Sequence, residues 1–176
     1  MERPRSDHEG SFQPPGHLMI LQTEHWTINH RVDSALPGYL MLASRMHTND
    51  LEAMPRGALQ QLGLLLASAQ RALTEILMPQ HLYIGRYGHS AGLALHFHVI
   101  PICAWVKQGF LADPRYRVLQ TLSNPAKADR EETDGAELTL YVWREFCESA
   151  TPPAIQGLSI REVVERLRTR LSARIS

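Results

Sequence analysis

The stretch Leu93-Ala94-Leu95-His96-Phe97-His98-Val99-Ile100-Pro101 places two imidazoles two residues apart in an otherwise apolar run. Near neutral pH an imidazole carries one lone pair and one N–H, so such a pair can supply a nucleophile and a donor, two phosphate donors, or two metal ligands. In an extended strand alternate side chains share a face. Leu93, Leu95, Phe97 and Val99 then point one way, and Ala94, His96, His98 and Ile100 the other. One face is core and the other carries the chemistry. The plain alternative is a polar pair on the exposed side of an edge strand, and spacing alone does not choose between them.

The elements that must position this strand are legible on both sides of it. His17–Gln22 and His25–His30 are short apolar or alternating runs separated by Thr23-Glu24, the pattern of a β-hairpin. Pro37-Gly38 turns the chain into the apolar run Tyr39–Ala43. Leu59, Leu62, Leu66, Ala69, Leu73, Ile76 and Leu77 then recur at threes and fours, predicting a helix over 55–78 that Pro79 stops. His81–Tyr87 and Leu93–Ile100 read as two further strands joined by the Gly-rich segment 88–92. Residues 107–135 lack a clean period and read as a surface excursion before a strand over Ala136–Phe146. Ser159 and Glu162 form a capping box for a final helix with Ile160, Val163, Val164, Leu167 and Leu171 on one stripe.

The fold class expected is therefore α+β: a five-stranded, mainly antiparallel sheet with a long helix packed on it, extended by a C-terminal strand and helix. Residues 1–15 read as a loose tail and 16–106 as the core domain. Residues 107–176 read as an extension packed on the core or on a partner subunit.

Composition narrows the function. Lys plus Arg and Asp plus Glu are 18 each in 176 residues, so no overall basic field argues for nucleic acid, and any phosphate must be met locally. The two cysteines, Cys103 and Cys147, have no metal-ligand spacing and form no disulfide framework. The polar, turn-rich start lacks the apolar core of a signal peptide and no run is long enough to span a bilayer, so the expected place is the cytoplasm.

The segment Gly88-His89-Ser90-Ala91-Gly92-Leu93-Ala94-Leu95-His96-Phe97-His98-Val99-Ile100-Pro101 resembles the signature of the histidine-triad family. That signature is His-φ-His-φ-His-φ-φ, often followed by Pro, with Gly-Gln-Ser or Gly-Gln-Thr upstream. Pro37-Gly38-Tyr39 through Ser44-Arg45-Met46-His47 is similar to the family's Pro-Gly-His, apolar strand and Pro-Lys-Arg-His, so the likeness runs from about 17 to 101.

The resemblance implies that His96 is the nucleophile and His98 the residue that binds and polarises the phosphate. Ala94 stands where the family has its first histidine, which orients and tunes the other two. His89 stands where the family usually has Gln, and His89 and Ser90 become candidate phosphate contacts. Asn29 resembles the ribose-contacting residue. Arg31 could make a bidentate phosphate contact that offsets the missing histidine, and Arg86 lies where the family places a polar residue near the phosphates. Each has a plainer reading as a turn residue or a surface ion pair.

The function these residues imply is a nucleotide-binding hydrolase. It would cleave a phosphoanhydride or phosphoramidate at the α-phosphate of a nucleoside phosphate through a nucleotidyl-histidine on His96, with no cofactor and no metal. The partners implied are a nucleotide or dinucleotide substrate and a second copy of the chain, with no nucleic acid and no membrane. One alternative is a nucleotide-binding module too slow to count as an enzyme. Another is a metal site on a β-barrel, disfavoured because no Glu follows at the expected spacing and a long helix lies between the strands.

Overall fold

The computed structural model describes residues 13–88, 93–116 and 135–175. Its sheet is built from β1 (Met19–Gln22), β2 (Trp26–His30), β3 (Leu40–Ser44), β4 (His81–Gly85) and β5 (His96–Ile102). The order across the sheet is β1-β2-β3-β5-β4, and every neighbouring pair is antiparallel. This is the five-stranded sheet expected from the sequence. The histidine strand is shorter at its start than expected, because Leu95 bonds with its amide to Thr48 O and with its carbonyl to Ser44 N, in a loop contact before the ladder proper begins.

Helix α1 (Arg56–Leu77) covers one face of the sheet. Its buried side is Ala58, Leu65, Ala69, Ala72 and Leu73, with Leu62, Leu66, Ile76 and Leu77 partly buried around them. The face is rotated from the predicted stripe: Leu59 is exposed and Leu65 takes its place in the core. Three alanines on the contact line let the helix axis come close to Leu40, Leu42 and Val99. The helix ends at Met78, in the left-handed region with φ 48° and its N–H on Thr74 O, before Pro79 forbids another turn.

The final helix, α4 (Ile160–Ile175), joins the same core through Val163, Val164, Leu167 and Leu171. Its capping box forms as the sequence predicts: Ser159 N–H donates to Glu162 Oε2 at 2.8 Å and Glu162 N–H to Ser159 Oγ at 3.3 Å. Arg168 donates from Nε to Met19 O at 2.7 Å and from Nη2 to Gly16 O at 2.8 Å, tying α4 to the first strand.

The opposite face carries a second core, and here one expectation is overturned. Residues 136–146 are not a strand. They lie in α3 (Gly135–Val142), which runs on into a π-helical turn over Trp143–Glu148. Leu138, Tyr141, Val142 and Phe146 are buried together, at spacings of three, one and four. Alternation along the run fits a strand, but only the helical spacing brings all four onto one side. With Val106 and Phe110 of α2 (Ala104–Ala112), they cover Leu36, Tyr39, Ile100 and Ile102. The same sheet face, beyond that cover, carries the histidines.

Candidate functional site

Register fixes which side chains share the histidine face. Thr27, Ala43 and His96 form one row across β2, β3 and β5, and Asn29, Met41, His98 and Gly85 form the next, which continues onto β4. Leu95, Phe97 and Val99 turn to the α1 side, so the alternation read from the sequence holds. The two imidazoles stand edge to face with centroids 5.2 Å apart.

The two rings are held by unlike means. His96 Nδ1 lies 2.8 Å from Ala94 O. A carbonyl can only accept, so Nδ1 carries the proton and Nε2 is left with its lone pair. His98 Nδ1 lies 2.9 Å from the Tyr39 hydroxyl, which itself receives a hydrogen bond from Arg31 Nη1 at 2.8 Å. With Arg31 donating in, the phenol proton has an acceptor only in His98 Nδ1, so the proton of that ring is on Nε2. Adjacent histidines are thus set in opposite tautomers, one presenting a lone pair and the other an N–H.

Behind Tyr39 the chain of contacts runs on. Arg31 Nε and Nη2 donate to Asp33 Oδ1 at 2.5 Å and Oδ2 at 3.0 Å, and the guanidinium lies 5.0 Å from the centre of the Tyr39 ring. The Arg31 hydrogen bond holds the Asp33 carboxyl below the usual range. Burial, opposed by Arg31, pushes the Tyr39 phenol up to about 12, so it keeps its proton. Burial first, then Arg31 and His96, brings His98 down to about 4, so it is neutral at physiological pH.

The segment after β4 completes the site. The ring of Tyr87 meets His98 edge-on with centroids 5.2 Å apart. Gly88, at φ +72°, approaches the other histidine: a Cβ there would lie 3.4 Å from His96 Nε2. Glycine therefore serves both the left-handed backbone and open access to the lone pair.

The remaining candidates divide. Asn29 is buried on the His98 row, with its Nδ2 on His30 O at 2.8 Å. Arg31 reaches His98 through Tyr39. Arg86 is exposed just beyond β4 and donates to Asn49 O and Oδ1, bridging to the loop that follows β3. His89 and Ser90 lie outside the described residues. Tyr39 escaped the sequence reading, although Pro37-Gly38-Tyr39 was its signal: an aromatic donor standing where the family motif has its histidine. Tyr87 carried no signal.

A concavity of about 640 Å³ lies elsewhere, between α4 and the ends of β1 and β2. His30 lines it, but both ring nitrogens of His30 are engaged, with Arg31 O at 2.8 Å and Leu36 O at 2.9 Å. Of the His30 and His96 rings, that of His96 has only Nδ1 engaged, on Ala94 O, and its Nε2 is open to a ligand.

Known structures share this architecture. The chain aligns over 95% of its length with 84% of the diadenosine triphosphate hydrolase of Plasmodium falciparum, at TM-score 0.54 and 9% identity. It aligns over 87% of its length with 86% of a histidine-triad-like protein of Bartonella henselae, at TM-score 0.50 and 11% identity. The fold is that of the histidine-triad proteins. No family model matches the sequence and no curated protein matches it. Shared fold with so little shared sequence leaves function to be argued from the site itself. Among the described residues no helix of this histidine-triad fold is long and apolar enough to cross a membrane.

Proposed function

We propose that the protein is a hydrolase of nucleoside phosphates that forms a nucleotidyl intermediate on His96. The observation that carries this reading is the opposite setting of the two rings: Ala94 O holds His96 with its Nε2 lone pair outward, and Tyr39 holds His98 with its Nε2 proton outward. One ring is prepared to attack phosphorus, and its neighbour to donate to the oxygen that gains charge as the attack proceeds.

In the first step His96 Nε2 bonds to the α-phosphorus in line as the bond to the leaving group breaks, a phosphate departing as its anion and an amine departing with a proton taken from solvent. The Nδ1–H stays hydrogen-bonded to Ala94 O throughout, which stabilises the positive charge the ring acquires. His98 Nε2–H donates to a phosphoryl oxygen. Water then attacks the same phosphorus, the P–N bond to His96 breaks, and the nucleoside monophosphate leaves. Asn29 is the ribose contact in this reading, His89 and Ser90 are further phosphate donors, and Arg31 acts on the phosphate through Tyr39 and His98. The similarity in fold to a diadenosine triphosphate hydrolase supports a phosphoanhydride as one bond cleaved, with a nucleotide as the leaving group. The functional unit proposed is a homodimer, which light scattering on the purified protein tests.

The experiment is AMP binding by calorimetry beside turnover of a fluorogenic adenosine phosphoramidate and of diadenosine triphosphate. Cleavage by the wild type and none by His96→Ala, with AMP still bound, is expected. AMP binding without any His96-dependent cleavage identifies the chain instead as a nucleotide-binding module.

A further inference from the structure

His98 stands between two tyrosines. On one side is Tyr39, whose ring centroid is 5.8 Å away and whose hydroxyl bonds Nδ1. On the other is Tyr87, its centroid at 5.2 Å. Tyr87 reaches this position because of Gly85, the β4 residue paired with His98. A Cβ on Gly85 would lie 2.7 Å from Cε2, Cζ and Oη of Tyr87, so the ring occupies the space a side chain would need. The Tyr87 ring is itself 44% exposed, and its hydroxyl has no hydrogen-bond partner among the described residues, yet His98 beside it is only 6% exposed. A ring half in water adds little to a core. Its place over the imidazole calls for another account.

We propose that Tyr87, seated on Gly85, is a positioning residue that closes water off from the His98 imidazole so that this ring meets the phosphate as an Nε2–H donor in one orientation. The role given to His98 rests on the proposed function; the shielding rests on geometry alone. The groups facing His98 are His96 on its own strand, Tyr39 ahead of β3 with Arg31 and Asp33 behind it, and Tyr87 after β4. Met41 and Gly85, its register partners, do not titrate. Burial is the largest cause of the low pKa of His98, ahead of the Arg31 and His96 charges. Removing Tyr87 takes away cover and leaves both charges where they are.

The test is the ¹H–¹³C NMR titration of His98 Cε1 in the full chain, for the wild type, Tyr87→Ala, Tyr87→Phe and Gly85→Ala. The midpoint is expected to rise from about 4 to above about 5 in Tyr87→Ala. It should rise likewise in Gly85→Ala, which keeps the tyrosine but displaces it, and return to the low value in Tyr87→Phe, which restores the ring without the hydroxyl. A midpoint that stays low in Tyr87→Ala or in Gly85→Ala, with the amide spectrum still dispersed, overturns the inference; loss of dispersion in one leaves the other to decide. The titration needs no turnover, so it stands apart from the test of the hydrolase reading. Where turnover is present, the acid limb of the kcat/KM profile should move to higher pH in the same two variants.

Discussion

The two halves of the site reach one end by opposite routes. His96 is fixed by the backbone just ahead of its strand, two residues away, whereas His98 is fixed by a chain of side chains that begins at Asp33 and passes through Arg31 and Tyr39. The first arrangement is insensitive to side-chain identity, because every residue at position 94 brings a carbonyl. With Ala94 at the position where the resembled motif has its first histidine, the His96 ring is still held in one orientation. The second depends on three residues at once. Where the family resemblance has a histidine after Pro-Gly, this chain has a phenol, and behind the phenol it has a half-buried cation.

The largest test of the comparison is removal of the proposed nucleophile: His96→Ala should lower kcat by about 10⁴-fold or more while AMP still binds. Next, Tyr39→Phe, which deletes only the hydroxyl that orients His98, should cost about 10- to 100-fold in kcat/KM. Ala94→Ser, which leaves the carbonyl in place, should cost no more than about 2-fold, on the order of 0.5 kcal/mol. Equal losses in Tyr39→Phe and Ala94→Ser would erase the distinction between the two halves.

Acid should reveal which imidazoles are buried. Burial lowers His30 and brings His98 to about 4. Unfolded histidines titrate near ~6.5, so between these values the unfolded chain takes up protons that the native rings refuse. Stability from this source is whole above about 6.5 and is lost as the pH falls towards 4. Thermal melts between pH 7.5 and 5, above most carboxyl titrations, should show the Tm falling, and His98→Asn should flatten the fall. The smallest effect is expected at the outer end of the relay: Asp33, more than half exposed in its side chain, should contribute about 0.2–1 kcal/mol. A urea melt of Asp33→Asn that loses several kcal/mol would show that the relay is anchored from its surface end.

Much of this was visible in the residues alone. The alternation read from Leu93 to Ile100 separates a core face from a chemical face, and the structure keeps that division from Leu95 onward, whereas Leu93 lies exposed ahead of the strand. The threes and fours from Leu59 to Leu77 announce α1, although Leu59 and Leu65 exchange roles because a period cannot say how the helix is rolled against a sheet. What could not be read was contact across elements. Arg31 and Tyr39 are eight residues apart, and they meet because β2 and β3 pair so that Arg31 N–H bonds Tyr39 O at 2.8 Å. The run Ala136–Phe146 was misleading because Leu138, Leu140 and Val142 alternate as in a strand, although Leu140 is exposed in the helix. Only the second core, assembled from Ile100, Ile102 and Phe110, decides for a helix.

An edge strand offers its unpaired backbone to any passing chain. β1 is such an edge, and Arg168 lays its guanidinium on Met19 O and on the carbonyls of Gly16 and His17 just before it. An incoming strand must first displace a charged donor held by α4.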